Sequence, residues 1–100
     1  MSRFDHTTID DVIHGRLRLG VMAYLSTVSP ASFIELKAKV NATDGNLSTH
    51  LSKLEEAGYV RIEKKFAGKK PLTLIHLTKA GRNAWIAYLD SLHTLLNAAE

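Results

Sequence analysis

The chain has 100 residues, 45% of them hydrophobic, with no cysteine and a formal net charge of +3. That length suits one domain with one core, and the missing cysteines exclude disulfides, thiolate metal sites and thiol redox sensing. GVMAYL is far too short to cross a bilayer, and MSRFDHTT lacks the apolar stretch of a secretory signal, so a cytoplasmic protein with no membrane partner is expected.

Residues 9–28 carry Ile9, Val12, Ile13, Leu17, Leu19, Val21, Met22 and Leu25 at mostly helical spacing. Gly15 divides the stretch into a short turn and a longer helix from about residue 15, which closes before Pro30. Ser32-Phe33-Ile34-Glu35 fits a capping box. It predicts a short helix with Phe33, Leu36 and Val40 on one side, ended by Asn41. Thr43 is the expected N-cap of a third helix, with Asp44 favourably placed against the helix dipole and Gly58 as its stop. Only Asn41 and Ala42 separate the second helix from the third. So short a link forces the sharp corner of a helix-turn-helix.

Along the third helix, Leu47, Leu51 and Leu54 fall within about 60° of one another at 100° per residue, so that stripe faces the core. The opposite side presents Gly45, Thr49 and Ser52, flanked by Asn46, Ser48 and Lys53, with little carboxylate until Glu55 and Glu56; Asp44 would repel phosphate and is expected to stay with the cap.

After Gly58 the period changes. Val60, Ile62 and Phe66 alternate with Arg61, Glu63 and Lys65, and LTLIHL (residues 72–77) is rich in branched apolar residues. The two predict an antiparallel hairpin that turns through AGKKP. Thr78 can cap a last helix over residues 79–98, in which Gly81 costs about 1 kcal/mol relative to Ala. A two-stranded hairpin is not stable alone in water. It must lie on the helices, making residues 1–100 one domain of mainly α (α+β) class.

The charge excess is local. Residues 61–70 hold five basic groups against Glu63 alone, whereas the other ninety residues hold eight basic and nine acidic groups. Such clustering suits an anionic partner, and it also suits a solvated hairpin whose lysines guard an edge against aggregation. The polar face favours the first reading. A helix entering a DNA major groove must be narrow and offer donors and acceptors to base edges and phosphates. A cationic hairpin beside it supplies backbone or minor-groove contacts.

The stretch from Phe33 to Trp85, with TDGNLSTHLSKLEEAGYV, KKFAGKKP and LTKAGR as its most specific pieces, closely resembles the winged helix-turn-helix domain of ArsR/MarR-like transcription regulators. IDDVIHGRLRLGVMAYL resembles their first helix, so the likeness spans about residues 9–90. The resemblance implies a homodimer on double-stranded DNA, with the third helix in the major groove and the hairpin wing on backbone or minor groove. Carried over by position, and together with the helical projection, it gives Thr43, Asn46, Ser48, Thr49, His50, Ser52 and Lys53 as helix contacts. The wing contacts are Arg61, Lys64, Lys65, Gly68, Lys69 and Lys70. His50 lies at the flank of the leucine stripe, where packing on the second helix competes with a groove contact.

Trp85, Tyr88, Leu89, Leu92, Leu95 and Leu96 recur at near-heptad spacing. They either pack on the chain's own first helix or, with Ile9 and Val12, form a dimer interface; the dimer is the expectation adopted. With no attached activation module, repression by occlusion of a near-palindromic site follows.

Five histidines include no H-x-x-x-H or H-E-x-x-H pair, and Asp90 with His93 makes half of a metal site at most. No nucleophile motif or carboxylate pair assembles. No metal, cofactor or catalysis is expected, and the sequence names no small-molecule effector. The competing reading is a winged-helix module that docks an acidic protein through its wing, since fold does not dictate function.

Overall fold

The computed structural model describes residues 5–98. Four helices, α1 (Arg16–Leu25), α2 (Phe33–Val40), α3 (Asp44–Glu56) and α4 (Lys79–Ala98), surround a small sheet of β1 (Ala31–Ser32), β2 (Val60–Ala67) and β3 (Lys70–Leu77). None of the described helices is long and apolar enough to cross a membrane. The α+β winged-helix architecture is the one the sequence implies, with one addition. The sheet has three antiparallel strands in the order β1-β3-β2, not two. Ala31 and Ser32 pair with Ile75 and Leu74, which covers the free edge of β3.

The helix ends follow their capping chemistry. Ser32 Oγ accepts from Glu35 N at 3.0 Å, but the reciprocal half of the capping box is missing. The Glu35 carboxylate instead accepts from the Tyr24 hydroxyl on α1, a bond that pushes the Tyr24 phenol up. Asn41 takes the left-handed conformation at φ 52°, and the N–H groups of Asn41 and Ala42 return to Ala38 and Lys37. Thr43 caps α3 by accepting from Asn46 N at 3.2 Å. At the far end Gly58 has φ +81°, Gly58 N donates to Glu55 O and Tyr59 N to Leu54 O. That double bond is the Schellman stop, for which glycine is preferred.

The core is built from Val21, Met22 and Leu25 of α1, Leu36 of α2, Leu47, Leu51 and Leu54 of α3, and Val60 and Ile75 of the sheet, closed by Ile13, Ala31 and Tyr88. All three leucines of the α3 stripe are at most 2% exposed. Truncating any of them to alanine costs about 2–5 kcal/mol.

Before α1, Asp10 organises a single turn. Its Oδ1 accepts from Val12 N and Ile13 N, and its Oδ2 accepts from Tyr59 Oη at 2.7 Å. The start of the chain is thereby tied to the end of α3.

Helix propensity alone makes Gly81 a mild cost within α4, but its tertiary packing requires glycine. A Cβ there would sit 2.0 Å from Tyr59 O. The missing side chain lets the first turn of α4 press on the α3–β2 corner. Thr78 completes the joint: its Oγ1 accepts from Gly81 N and donates to Gly58 O.

Candidate nucleic-acid interface

The outer face of α3 is open. Thr43, Asn46, Ser48, Thr49, Ser52 and Lys53 are all exposed, and the helix forms a convex ridge. Thr49 and Gly45 run along its crest. On one flank, Ser48, Ser52 and Glu55 line a cleft of about 690 Å³, closed on the other side by Ile62, Lys64 and Thr73 of the sheet and by Phe33. On the other flank, Asn46 and His50 face Gly15, Arg16 and Leu17 at the start of α1. Lys53 lies further along that flank, near Arg18, Asp11 and Glu56.

Two residues of the sequence reading are refined by this geometry. His50 is half-buried in the flank cleft, and its Nδ1 is buried with no partner. Burial, then the charges of Arg18 and Lys53, push its pKa down. A neutral ring turned toward α1 is a poor phosphate ligand, so the crest belongs to Thr49. Asp44, awkward beside DNA, stays at the helix start and pairs with Lys37 Nζ on α2 at 2.7 Å. That exposed pair contributes little stability, but it offsets a negative charge at the edge of the ridge.

The wing is a regular hairpin from Val60↔Leu77 to Ala67↔Lys70. Its loop is the two residues Gly68 and Lys69, with Gly68 at φ +66° in the first position, as hairpin loops of the II′ kind require. Lys64, Lys65, Lys69 and Lys70 are exposed, as is Arg61. Alternation divides them. Lys64 shares the face of Val60 and Ile62 and looks toward α3, while Arg61 and Lys65 occupy the opposite face. On that opposite face Glu63 Oε1 meets His76 Nε2 at 2.8 Å. The bond holds the Glu63 carboxyl below its usual range, aided by Lys65 and Arg61. The sole acid of the basic segment is therefore engaged across the strands, away from α3.

These features, a polar convex helix after a two-residue corner and a lysine hairpin projecting beside it, are those of a nucleic-acid reading head. A model of the winged helix DNA-binding domain matches residues 17–96. The chain belongs to that family. It is 37% identical over 78 residues to an uncharacterized protein of Methanocaldococcus jannaschii, covering 78% of this chain and 85% of that one. It superposes on the transcriptional regulator homologue of Pyrococcus horikoshii OT3 with a TM-score of 0.83 and 28% identity, over 89% and 88% of the two chains. A DNA-bound structure of AbfR shares the fold, with a TM-score of 0.68 and 22% identity over 76% of this chain and 55% of that one.

Along α4 the side chains named as interface candidates divide in two. Tyr88 is 2% exposed. Its hydroxyl meets His14 Nδ1 at 2.9 Å, and Trp85 stacks on its ring at 5.7 Å between centroids. Ile9, Val12 and Leu92 also pack on the chain's own core. Tyr88 is thus sealed within the protomer, while Trp85, Ile9, Val12 and Leu92 are half-buried against its core. Leu89 and Leu96 do face outward, at 43% and 60% exposure, joined by Ile86 at 53%. Leu95 is half-buried. Ile86 escaped the sequence reading because the aromatic stripe beside it dominates the pattern. His93 faces Asn97, with Nε2 2.9 Å from its side-chain nitrogen.

Proposed function

We propose that the protein is a homodimeric, sequence-specific DNA-binding regulator that represses by occupying a near-palindromic operator. One observation carries the reading: the α3 ridge and the lysine hairpin project side by side, and among the described residues the polar side chains of both are exposed. Asn46, Ser48, Thr49 and Ser52 read base edges and neighbouring phosphates in the major groove. Lys64, Lys65, Lys69 and Lys70, with Arg61 and the Gly68 turn, hold backbone or minor groove, and Thr43 and Lys53 flank the ridge. A second copy docks through Ile86, Leu89 and Leu96 of α4. Family membership supports the DNA partner, and the regulator names of the relatives support a role in transcription.

A twofold dimer places two α3 ridges about one helical turn of DNA apart, roughly 34 Å. The test is selection of bound duplexes from a random pool, followed by gel shift at low and moderate salt. The expected product is a motif with two inverted half-sites. A folded dimer that shifts no duplex even at low salt sinks the proposal and favours docking on an acidic protein instead.

A further inference from the structure

Phe66 is part of the apolar alternation of β2, yet it lies outside the hydrophobic core. It is 69% exposed. The residues sharing its face explain why. Val60 is buried, Ile62 is half-buried, Lys64 lines the cleft against Ser48 and Ser52 of α3, and Phe66 comes next. The supporting layer of helices ends before the strand does. Phe66 therefore lies about 7 Å beyond Lys64, on the face turned toward the reading helix. Its cross-strand partner is Pro71, also exposed. Lys64, Lys65, Lys69 and Lys70 surround the pair in sequence.

A single exposed aromatic needs no explanation by itself, but Phe66 sits directly across from exposed Pro71 within a hairpin most of whose other exposed side chains are basic. Lysines around it specify a polyanion. We propose, resting on the DNA-regulator reading above, that Phe66 with Pro71 forms an apolar wedge that enters the minor groove beside the α3 site and bends the duplex. Phe and Pro are among the side chains that pry base steps apart from the minor-groove side and kink DNA toward the major groove. Pyrimidine–purine steps unstack most easily. The wing thus selects sequence through deformability at a position where no hydrogen bond to a base is made. The lysines at the tip supply charge, and the wedge supplies shape.

The test uses the full chain and duplexes of about 30 base pairs, a length typical of a bent site, labelled at both ends for energy transfer. Wild type, Phe66→Ala, Phe66→Leu and a Lys69→Ala/Lys70→Ala double variant are compared. Wild type and Phe66→Leu are expected to shorten the end-to-end distance. Phe66→Ala leaves the duplex straight and binds about tenfold more weakly, the scale of one lost aromatic contact with a base. Its salt dependence matches wild type because no charge is removed. The double lysine variant shows the converse: a shallower salt dependence with the bend retained. An unbent duplex in the wild-type complex overturns the wedge, as does a Phe66→Ala protein that binds and bends like wild type. Wild-type protein that binds no duplex overturns the regulator reading itself.

Discussion

The backbone carbonyl of Tyr59 occupies the space where Gly81 would carry a side chain, 2.0 Å from an ideal Cβ. The obstacle is main chain, with Leu77 Cδ1 also 2.9 Å from the same point, so no rotamer change relieves it. Gly81→Ala should lower stability by about 1–3 kcal/mol, the range for overpacking a tight joint, despite alanine's better helix propensity. Urea unfolding would show it, and a stabilised variant would mean that α4 does not press on the α3–β2 corner.

Tyr59 also ties the chain's first turn to the end of α3 through Asp10. Tyr59→Phe removes a hydrogen bond to a carboxylate and should cost about 1.5–2 kcal/mol. The same bond, with burial, pushes the Tyr59 phenol up to about 12 from an ordinary 10.0. In the unfolded chain the phenol ionises near 10.0, while the native state keeps its proton. The stability conferred by the bond is thus whole below pH 10 and falls as pH rises toward 12. Ultraviolet titration of the folded protein should find Tyr24 and Tyr59 both ionising above the ordinary 10.0, and Tyr59→Phe should remove the transition near 12.

His50 gives a dependence at the acid end. Its pKa lies below the ordinary 6.5 because burial and nearby Arg18 and Lys53 disfavour the charged ring. Below pH 6.5 the unfolded state takes up a proton that the native state resists. Stability is therefore full above 6.5 and declines as pH falls through the native pKa. His50→Gln should flatten the fall of the denaturation midpoint as pH drops below 6.5. An unchanged slope would mean that another group carries it.

The two halves of the DNA surface should separate by experiment. Lys69→Ala with Lys70→Ala should weaken binding to every duplex and lower the salt slope by up to about 0.9 per lost phosphate contact. Asn46→Ala should change which half-sites are selected, with a penalty of about 1–3 kcal/mol confined to the base it reads. Equal loss on all sequences would remove Asn46 from base reading.

Self-association should depend on the outward row of α4. Leu89→Asp puts a charge among Ile86, Leu89 and Leu96, all outside the protomer's own core. Sedimentation should report a folded monomer with unchanged helix content. A dimer that persists would place the interface elsewhere. Tyr88→Asp, by contrast, should unfold the protomer, since its ring is buried beside His14 and Trp85.

What the sequence determined by itself is local. Thr43, Asn41 and Gly58 mark helix ends because orphan N–H and C=O groups are satisfied within a few residues. The leucines of α3 and the alternation of β2 are legible because a period shows which side of an element is apolar. The Gly68 turn and the cluster of lysines needed no partner to be recognised.

Tertiary structure decided everything that depends on how far a neighbouring layer reaches. Periodicity places Val60, Ile62 and Phe66 on one side, but only the extent of the helices beneath shows that Val60 is sealed and Phe66 bare. It places Tyr88 and Leu89 in one stripe, but only the position of His14 turns the first inward. Ala31–Ser32 is too short to announce a strand and exists because Leu74 and Ile75 offer it an edge. Burial and pairing between distant segments are properties of the assembled layers, and no window of residues contains them.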